Sequence, residues 1–142
     1  VNVTGAFLVT QAALPDMLTA NWGRVVNVAS TAALQGFPYT AHYTASKHAL
    51  LGMSRALALE VARKGVTVNC VCPGFVETEM TARTIANIVA TTGRDAERAR
   101  KSLEAASPQH RLIQPSEIAA AVAYLVSDGA RGVNGDAVVI NG

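Results

Sequence analysis

The sequence predicts an α/β fold built around a parallel sheet. Three apolar runs, residues 24–29, 66–71 and 137–140, are typical of strands that are buried in such a sheet. Long helix-forming stretches separate the runs, and parallel strands need helical crossovers of this kind, with right-handed connections. The chain has 142 residues, of which 50% are hydrophobic and 15% charged, so we expect one ordered domain over residues 1–142.

Four helical stretches complete the predicted order of elements. They cover residues 2–20, 42–63, 79–105 and 115–126. Pro15 is expected to interrupt or kink the first helix, and Gly65 is expected to end the second. Residues 91–93 divide the third stretch into two short helices. Pro115 suits the first turn of the last helix, and Glu117 is favourable near its N-terminus.

The composition argues against several kinds of partner. The net charge is only +2 and no arginine-rich strip occurs, so no nucleic-acid partner is expected. No uninterrupted apolar run reaches the length of about 18 residues that indicates a membrane span, so no membrane partner is expected either. Cys70 and Cys72 share one face of a predicted strand, and without a second Cys/His pair they indicate buried, reduced thiols and no metal site. These features fit a cytoplasmic protein.

Tyr43 and Lys47 are four residues apart in a stretch that favours a helix. Residues at this spacing share one helix face, with Cβ atoms about 5–6 Å apart, so a phenol would lie beside an ammonium group. A free phenol ionises near pH ~10 and is a poor base at neutral pH, whereas a neighbouring cation favours the phenolate. The pair therefore predicts a general acid/base that works near neutrality. Tyr39 is the weaker candidate, because Tyr43 and not a lysine follows it four residues later.

Ser30 ends the first apolar run and precedes a loop with Gly and Pro over residues 31–41. Polar residues at the carboxyl ends of parallel strands lie where open α/β sheets bind ligands. Ser30 is therefore a candidate for binding the substrate oxygen. A strand-end hydroxyl that only bonds its own backbone is the alternative, and Thr31 is the nearest alternative residue.

With these residues in place, the whole chain resembles the classical short-chain dehydrogenase/reductase family. The matching positions are Asn2, Ser30, Tyr43, Lys47, Pro73, Gly74, Val76, Thr78 and the closing segment 132–142. The resemblance implies a Rossmann-like, doubly wound parallel sheet and a NAD or NADP cofactor. Members of the family begin with a Gly-rich turn that binds the dinucleotide, and no such cluster occurs here. We therefore expect the carboxyl-terminal part of a longer enzyme, without the first Gly-rich βαβ half.

The resemblance also implies a role for each catalytic residue. Tyr43 would carry the proton, and Lys47 would assist it and hydrogen-bond the nicotinamide ribose. Ser30 would donate to the substrate oxygen. Asn2 would hold, through its backbone, a water that links Lys47 to solvent; an asparagine that only fits a helix bend is the alternative.

The cofactor residues implied by the resemblance are Tyr43, Lys47 and four positions after the second strand. Pro73 and Gly74 would shape the loop beneath the nicotinamide, although Gly74 also suits an ordinary turn. Val76, through its backbone, and Thr78, through its hydroxyl, would hold the carboxamide.

Segment 79–111 corresponds to the family's substrate lid. Its cations could meet the phosphates of a coenzyme A or acyl-carrier thioester, but a solvated face of mixed charge is the favoured interpretation. These cations are Arg94, Arg98, Arg100, Lys101 and Arg111. The end of the segment resembles 3-hydroxyacyl-CoA and 3-hydroxybutyrate dehydrogenases, although His110 is expected to be structural.

The predicted function is therefore the NAD(P)-dependent interconversion of a secondary alcohol and a ketone. The favoured substrate is a 3-hydroxyacyl or 3-oxoacyl thioester, as in 3-oxoacyl-thioester reductases. One alternative is a small free hydroxy acid, polyol or cyclic alcohol. Another is a silent fragment that only self-associates, since the resemblance implies a homotetramer or homodimer formed through helices 2–20 and 42–63.

Overall fold

The computed structural model describes residues 2–142 and contains a three-stranded parallel sheet with five α-helices. In chain order the main elements are α1 (Thr4–Ala20), β1 (Gly23–Val28), α2 (Ala41–Val61), β2 (Val66–Pro73), α3 (Glu79–Thr92), α4 (Ala96–Glu104), α5 (Pro115–Val126) and β3 (Ala137–Ile140). Short 3-10 helices cover Thr31–Ala33, Ala62–Lys64 and Asp128–Ala130. The predicted α/β class, with all three strands parallel, is confirmed.

The central strand β2 carries the core. All eight of its residues are buried, and it pairs with β1 on one side and with β3 on the other. Its even-numbered side chains pack against α2 in two clusters, one around Cys70 and Cys72 and the other around Val66 and Val68. This continuous burial is the reason for the unbroken apolar run in the sequence.

Helices cover both faces of the sheet. Leu14 and Met17 of α1 join the Val66 cluster on the α2 side, whereas α5 contacts β1 and β2. Because side chains alternate along a strand, Thr67 and Asn69 point away from α2 and towards the α5 side. The arrangement is the predicted double winding, and none of the helices within residues 2–142 is long and apolar enough to cross a bilayer.

Two details differ from the sequence-based expectations. Of the interruption or kink expected at Pro15, the interruption is absent: helix α1 continues through Pro15, and Leu14 and Met17 on either side of it pack against the sheet. Strand β2 extends two residues beyond the predicted end, to Pro73, because Pro73 is in register with Ile140 of β3. The expected stop at Gly65 is confirmed, with φ of 66° in the left-handed region.

Candidate functional site

The first turns of α2 present the Tyr43–Lys47 pair. The helix begins at Ala41, so both residues lie on it at the predicted spacing of one turn. The Nζ atom of Lys47 lies 5.6 Å from the centre of the Tyr43 ring, close enough for a cation–π contact. The half-buried phenol and the ammonium therefore share one face of the helix.

Lys47 is buried, and its contacts join α2 to the end of β1. Only 9% of the residue is exposed, and Nζ donates a 2.9 Å hydrogen bond to the carbonyl oxygen of Val28, the last residue of β1. Burial lowers the pKa of Lys47 from its ordinary value, while the nearby thiols of Cys70 and Cys72 act in the opposite direction. The ammonium group is thus placed at the carboxyl edge of the sheet, where ligands bind in this class of fold.

Ser30 follows β1 at the same edge. Its backbone is extended, and its Oγ accepts a 3.1 Å hydrogen bond from the N–H of Ala32, so Ser30 caps the short helix Thr31–Ala33. Ala29 and Ala33, on either side of it, pack against Leu50 and Leu51 of α2. The strand end that carries Ser30 is therefore fixed on the same helix that carries the Tyr43–Lys47 pair.

The last member of the predicted catalytic set is Asn2, and Tyr39 and Thr31 are the two weaker alternatives. Asn2 is exposed in the turn before α1, and its Nδ2 donates a 3.1 Å hydrogen bond to Oγ of Ser46, the neighbour of Lys47. Tyr39, the weaker tyrosine, is fully exposed and has a φ of 63°. Thr31 is half-buried inside the short helix after Ser30.

The loop after β2 begins with a close backbone approach. The N–H of Gly74 donates a 3.0 Å hydrogen bond to the carbonyl oxygen of Ile140, and a Cβ at Gly74 would lie 3.0 Å from the Cβ of Asn141. Pro73, just before it, is buried at the end of β2. A glycine at position 74 therefore lets the loop pass against the end of β3.

Val76 and Thr78 lie in this loop, and the sequence did not reveal what holds them. The carbonyl oxygen of Val76 accepts a 2.5 Å hydrogen bond from Oγ1 of Thr81, and Val76 forms a parallel bridge with Ile113. Thr78 is exposed and occupies the N-cap position of α3. Neither contact could be predicted from the sequence. Thr81 is a single threonine without a motif around it, and Ile113 is remote from Val76 along the chain.

Ion pairs with carboxylates in and beside segment 79–111 engage most of its cations. Arg100 contacts both Glu77 and Glu104, and Arg111 makes two 2.7 Å hydrogen bonds to Glu117. The Arg111 guanidinium is the main reason that the pKa of Glu117 falls to about 2. This pairing favours the interpretation of a mixed-charge face over that of a phosphate-binding cluster.

The two cysteines are free and fully buried, as predicted. Burial raises the pKa of Cys70 and of Cys72, which keeps both thiols protonated and unreactive. Within residues 2–142, no group of three or more His, Cys, Asp or Glu side chains is arranged to hold a metal ion.

Comparison with known proteins identifies the family. A family model described as "Enoyl-(Acyl carrier protein) reductase" matches residues 1–142. A Streptomyces coelicolor protein named "Putative ketoacyl reductase" is 45% identical over 143 residues, covering 99% of this chain and 55% of the relative. A D-beta-hydroxybutyrate dehydrogenase of Cupriavidus necator is 37% identical over 136 residues, covering 95% of this chain and 53% of the relative. The chain thus spans about half the length of the curated relatives it matches.

Solved structures give the same result. A variant of actinorhodin polyketide ketoreductase, crystallised with NADPH, superposes with a TM-score of 0.95 at 44% identity, covering 100% of this chain and 55% of that one. Levodione reductase superposes with a TM-score of 0.90 at 32% identity, covering 100% of this chain and 54% of that one. Fold, family model and relatives agree, and the chain belongs to the short-chain dehydrogenase/reductase family.

Proposed function

We propose that this chain carries the catalytic residues of a NAD(P)-dependent oxidoreductase that interconverts a secondary alcohol and a ketone. The observation that carries the proposal is the buried Lys47, held at the end of β1 by the Val28 carbonyl and placed beside the Tyr43 ring. A buried cation next to a phenol at a ligand-binding sheet edge suits proton transfer. The relatives named as ketoacyl reductase and hydroxybutyrate dehydrogenase support this class of reaction.

The chain's own residues would handle the proton. Tyr43 would donate its hydroxyl proton to a ketone oxygen in reduction and accept the proton in oxidation. The Lys47 ammonium would stabilise the resulting phenolate. Ser30 would donate a hydrogen bond to the substrate oxygen and hold it in line with Tyr43.

The loop after β2 fits the nicotinamide end of a dinucleotide. The exposed hydroxyl of Thr78 and the backbone of Val76 lie beyond the carboxyl end of β2, and Gly74 keeps side-chain bulk out of the turn. When bound, a nicotinamide cofactor supplies or accepts the hydride. The structural relative solved with NADPH supports such a cofactor, either NAD or NADP, for the whole protein.

A 3-oxoacyl or 3-hydroxyacyl thioester, of coenzyme A or an acyl carrier, is the substrate class that we favour. Relatives named as ketoacyl reductases support this choice at up to 45% identity. A small free hydroxy acid, polyol or cyclic alcohol is the second candidate, because a D-beta-hydroxybutyrate dehydrogenase is also similar to this chain.

NAD(P)H oxidation by the full-length protein with acetoacetyl-CoA, with free acetoacetate as a parallel substrate, tests the proposal. Tyr43→Phe should lower kcat by about 10²–10⁴, the range for loss of a general acid/base. Tyr39→Phe is the matched control and should keep wild-type turnover, because Tyr39 is fully exposed. Full activity in Tyr43→Phe would show that Tyr43 is not the proton donor. Turnover of acetoacetate alone would leave the mechanism in place and exclude the thioester.

A homodimer or homotetramer formed through α1 and α2 is our proposal for assembly. The two helices leave large apolar side chains exposed, including Phe7 at 49%, Val9 at 71% and Leu59 at 81%. Large exposed apolar side chains mark interaction surfaces, and most soluble oligomers are assembled from copies of one chain. Leu59→Glu should shift the full-length protein to a smaller species in sedimentation velocity. An unchanged mass would count against this interface.

A further inference from the structure

We propose that Arg100 is a positioning residue, which ties the lid helix α4 to the loop that carries Val76 and Thr78. This inference rests on the proposed function, because that loop is where the nicotinamide end of the cofactor is expected. Glu77 lies between Val76 and Thr78, so a side chain that holds Glu77 also restricts its two neighbours.

The contacts of Arg100 use its whole guanidinium fork. Nη1 donates a 3.1 Å hydrogen bond to Oε1 of Glu77, and Nη2 donates to Oε2 of the same carboxylate. Nε donates a 2.8 Å hydrogen bond to Oε1 of Glu104, one turn further along α4. A guanidinium that bridges two carboxylates, one of them bidentately, has little rotational freedom left and fixes the direction of both.

This network is more sheltered than the other ion pairs of α4. The side chains of Arg100, Glu77 and Glu104 are 41%, 40% and 24% exposed. Lys101 and Glu97, on the same helix, are 68% and 76% exposed and form a single contact within one helix. Exposed single pairs contribute little, whereas bidentate, networked pairs hold geometry better. The Arg100 guanidinium also lowers the pKa of Glu77, which keeps that carboxylate ionised and engaged.

The loop has other ties, but they reach different elements. The backbone of Ile113 makes two hydrogen bonds of 2.9 Å on either side of Val76: its N–H donates to the Phe75 carbonyl oxygen, and its carbonyl oxygen accepts from the Glu77 N–H. Thr81 binds the Val76 carbonyl from α3. Among residues 2–142, the side chain of Arg100 is the one that connects α4 to this loop by hydrogen bonds. It therefore couples the position of α4 to that of the cofactor loop.

Hydrogen exchange on the full-length protein without cofactor tests the tie itself. Arg100→Met and Glu77→Gln should each raise amide exchange in residues 74–78 by about five-fold, because each substitution breaks the bidentate contact. The double variant should show no more than the single ones, because both substitutions break one interaction. Lys101→Met is the matched control and should exchange at the wild-type rate. Wild-type exchange in Arg100→Met, or fully additive effects in the double variant, would overturn the proposal.

Cofactor titration then tests the functional consequence. Arg100→Met should weaken NADPH binding, followed by nicotinamide fluorescence, by about five-fold while kcat at saturating cofactor changes less than two-fold. Arg100→Lys should fall between, because an ammonium group restores the charge but not the bidentate fork. Unchanged NADPH affinity in Arg100→Met would overturn the positioning role. If the wild-type protein binds neither NADPH nor NADH, the proposed function fails, and the exchange data alone decide whether the tie exists.

Discussion

Two nearby positions on the α5 side of β2 should differ clearly in how substitution changes the free energy of unfolding. Asn69 is 1% exposed, and its amide makes two hydrogen bonds: Nδ2 donates to the Val133 carbonyl at 2.8 Å, and Oδ1 accepts from the Asp136 N–H at 3.0 Å. Thr67 is 6% exposed, and its hydroxyl has no partner among residues 2–142. Burial is nearly the same at the two sites, so hydrogen bonding decides how each substitution changes the free energy of unfolding.

The magnitudes follow from that difference. Asn69→Ala removes two hydrogen bonds of about 0.5–1.5 kcal/mol each, plus some packing, so the free energy of unfolding should fall by about 2–3 kcal/mol. Thr67→Val replaces an unpaired buried hydroxyl by a methyl group of similar size. It should leave stability unchanged or raise it by up to about 1 kcal/mol, since the desolvation cost of the hydroxyl disappears.

Urea unfolding of the full-length protein, followed by circular dichroism, measures both effects, with an unchanged m-value as the check that only stability changed. A loss of more than about 1 kcal/mol in Thr67→Val would mean that the Thr67 hydroxyl is hydrogen-bonded. A loss of less than about 1 kcal/mol in Asn69→Ala would refute the claim that this amide anchors the segment before β3.

Two further predictions concern a turn and an ion pair. Gly65→Ala should destabilise the protein by at least about 2 kcal/mol more than Gly93→Ala in the same urea assay. Both glycines have positive φ, but a Cβ at Gly65 would lie 2.1 Å from the carbonyl oxygen of Asn21, whereas nothing lies within 4 Å at Gly93; equal losses would contradict this. Hydrogen bonds from Arg111 and from the Gln114 N–H lower the pKa of Glu117 from 4.5 to about 2, so these contacts add stability above pH 4.5 that is lost as the pH falls towards 2. Glu117→Gln should flatten the dependence of the thermal midpoint on pH in that window, and an unchanged slope would show that other groups cause it.

Elements with a strong local pattern were predictable. The apolar runs of β1, β2 and β3 gave the parallel sheet, and the spacing of Tyr43 and Lys47 placed both on one helix face. Local patterns were less reliable at the edges of elements. Helix α1 passes through Pro15 because tertiary packing holds its last turns, and that packing is invisible in the proline itself.

The sequence by itself determined the class of fold, the placement of Tyr43 and Lys47 on one helix face and the free, buried thiols, because each depends on residue type and on spacing within one element. Only the tertiary structure decided what Lys47 binds, which residues hold the loop around Val76, and that Arg100 reaches Glu77. Those contacts join residues 19, 5 and 23 positions apart, and two of the three cross from one element to a distant one. Their partners are set by how the helices pack on the sheet, and no repeat or spacing in the chain encodes that packing.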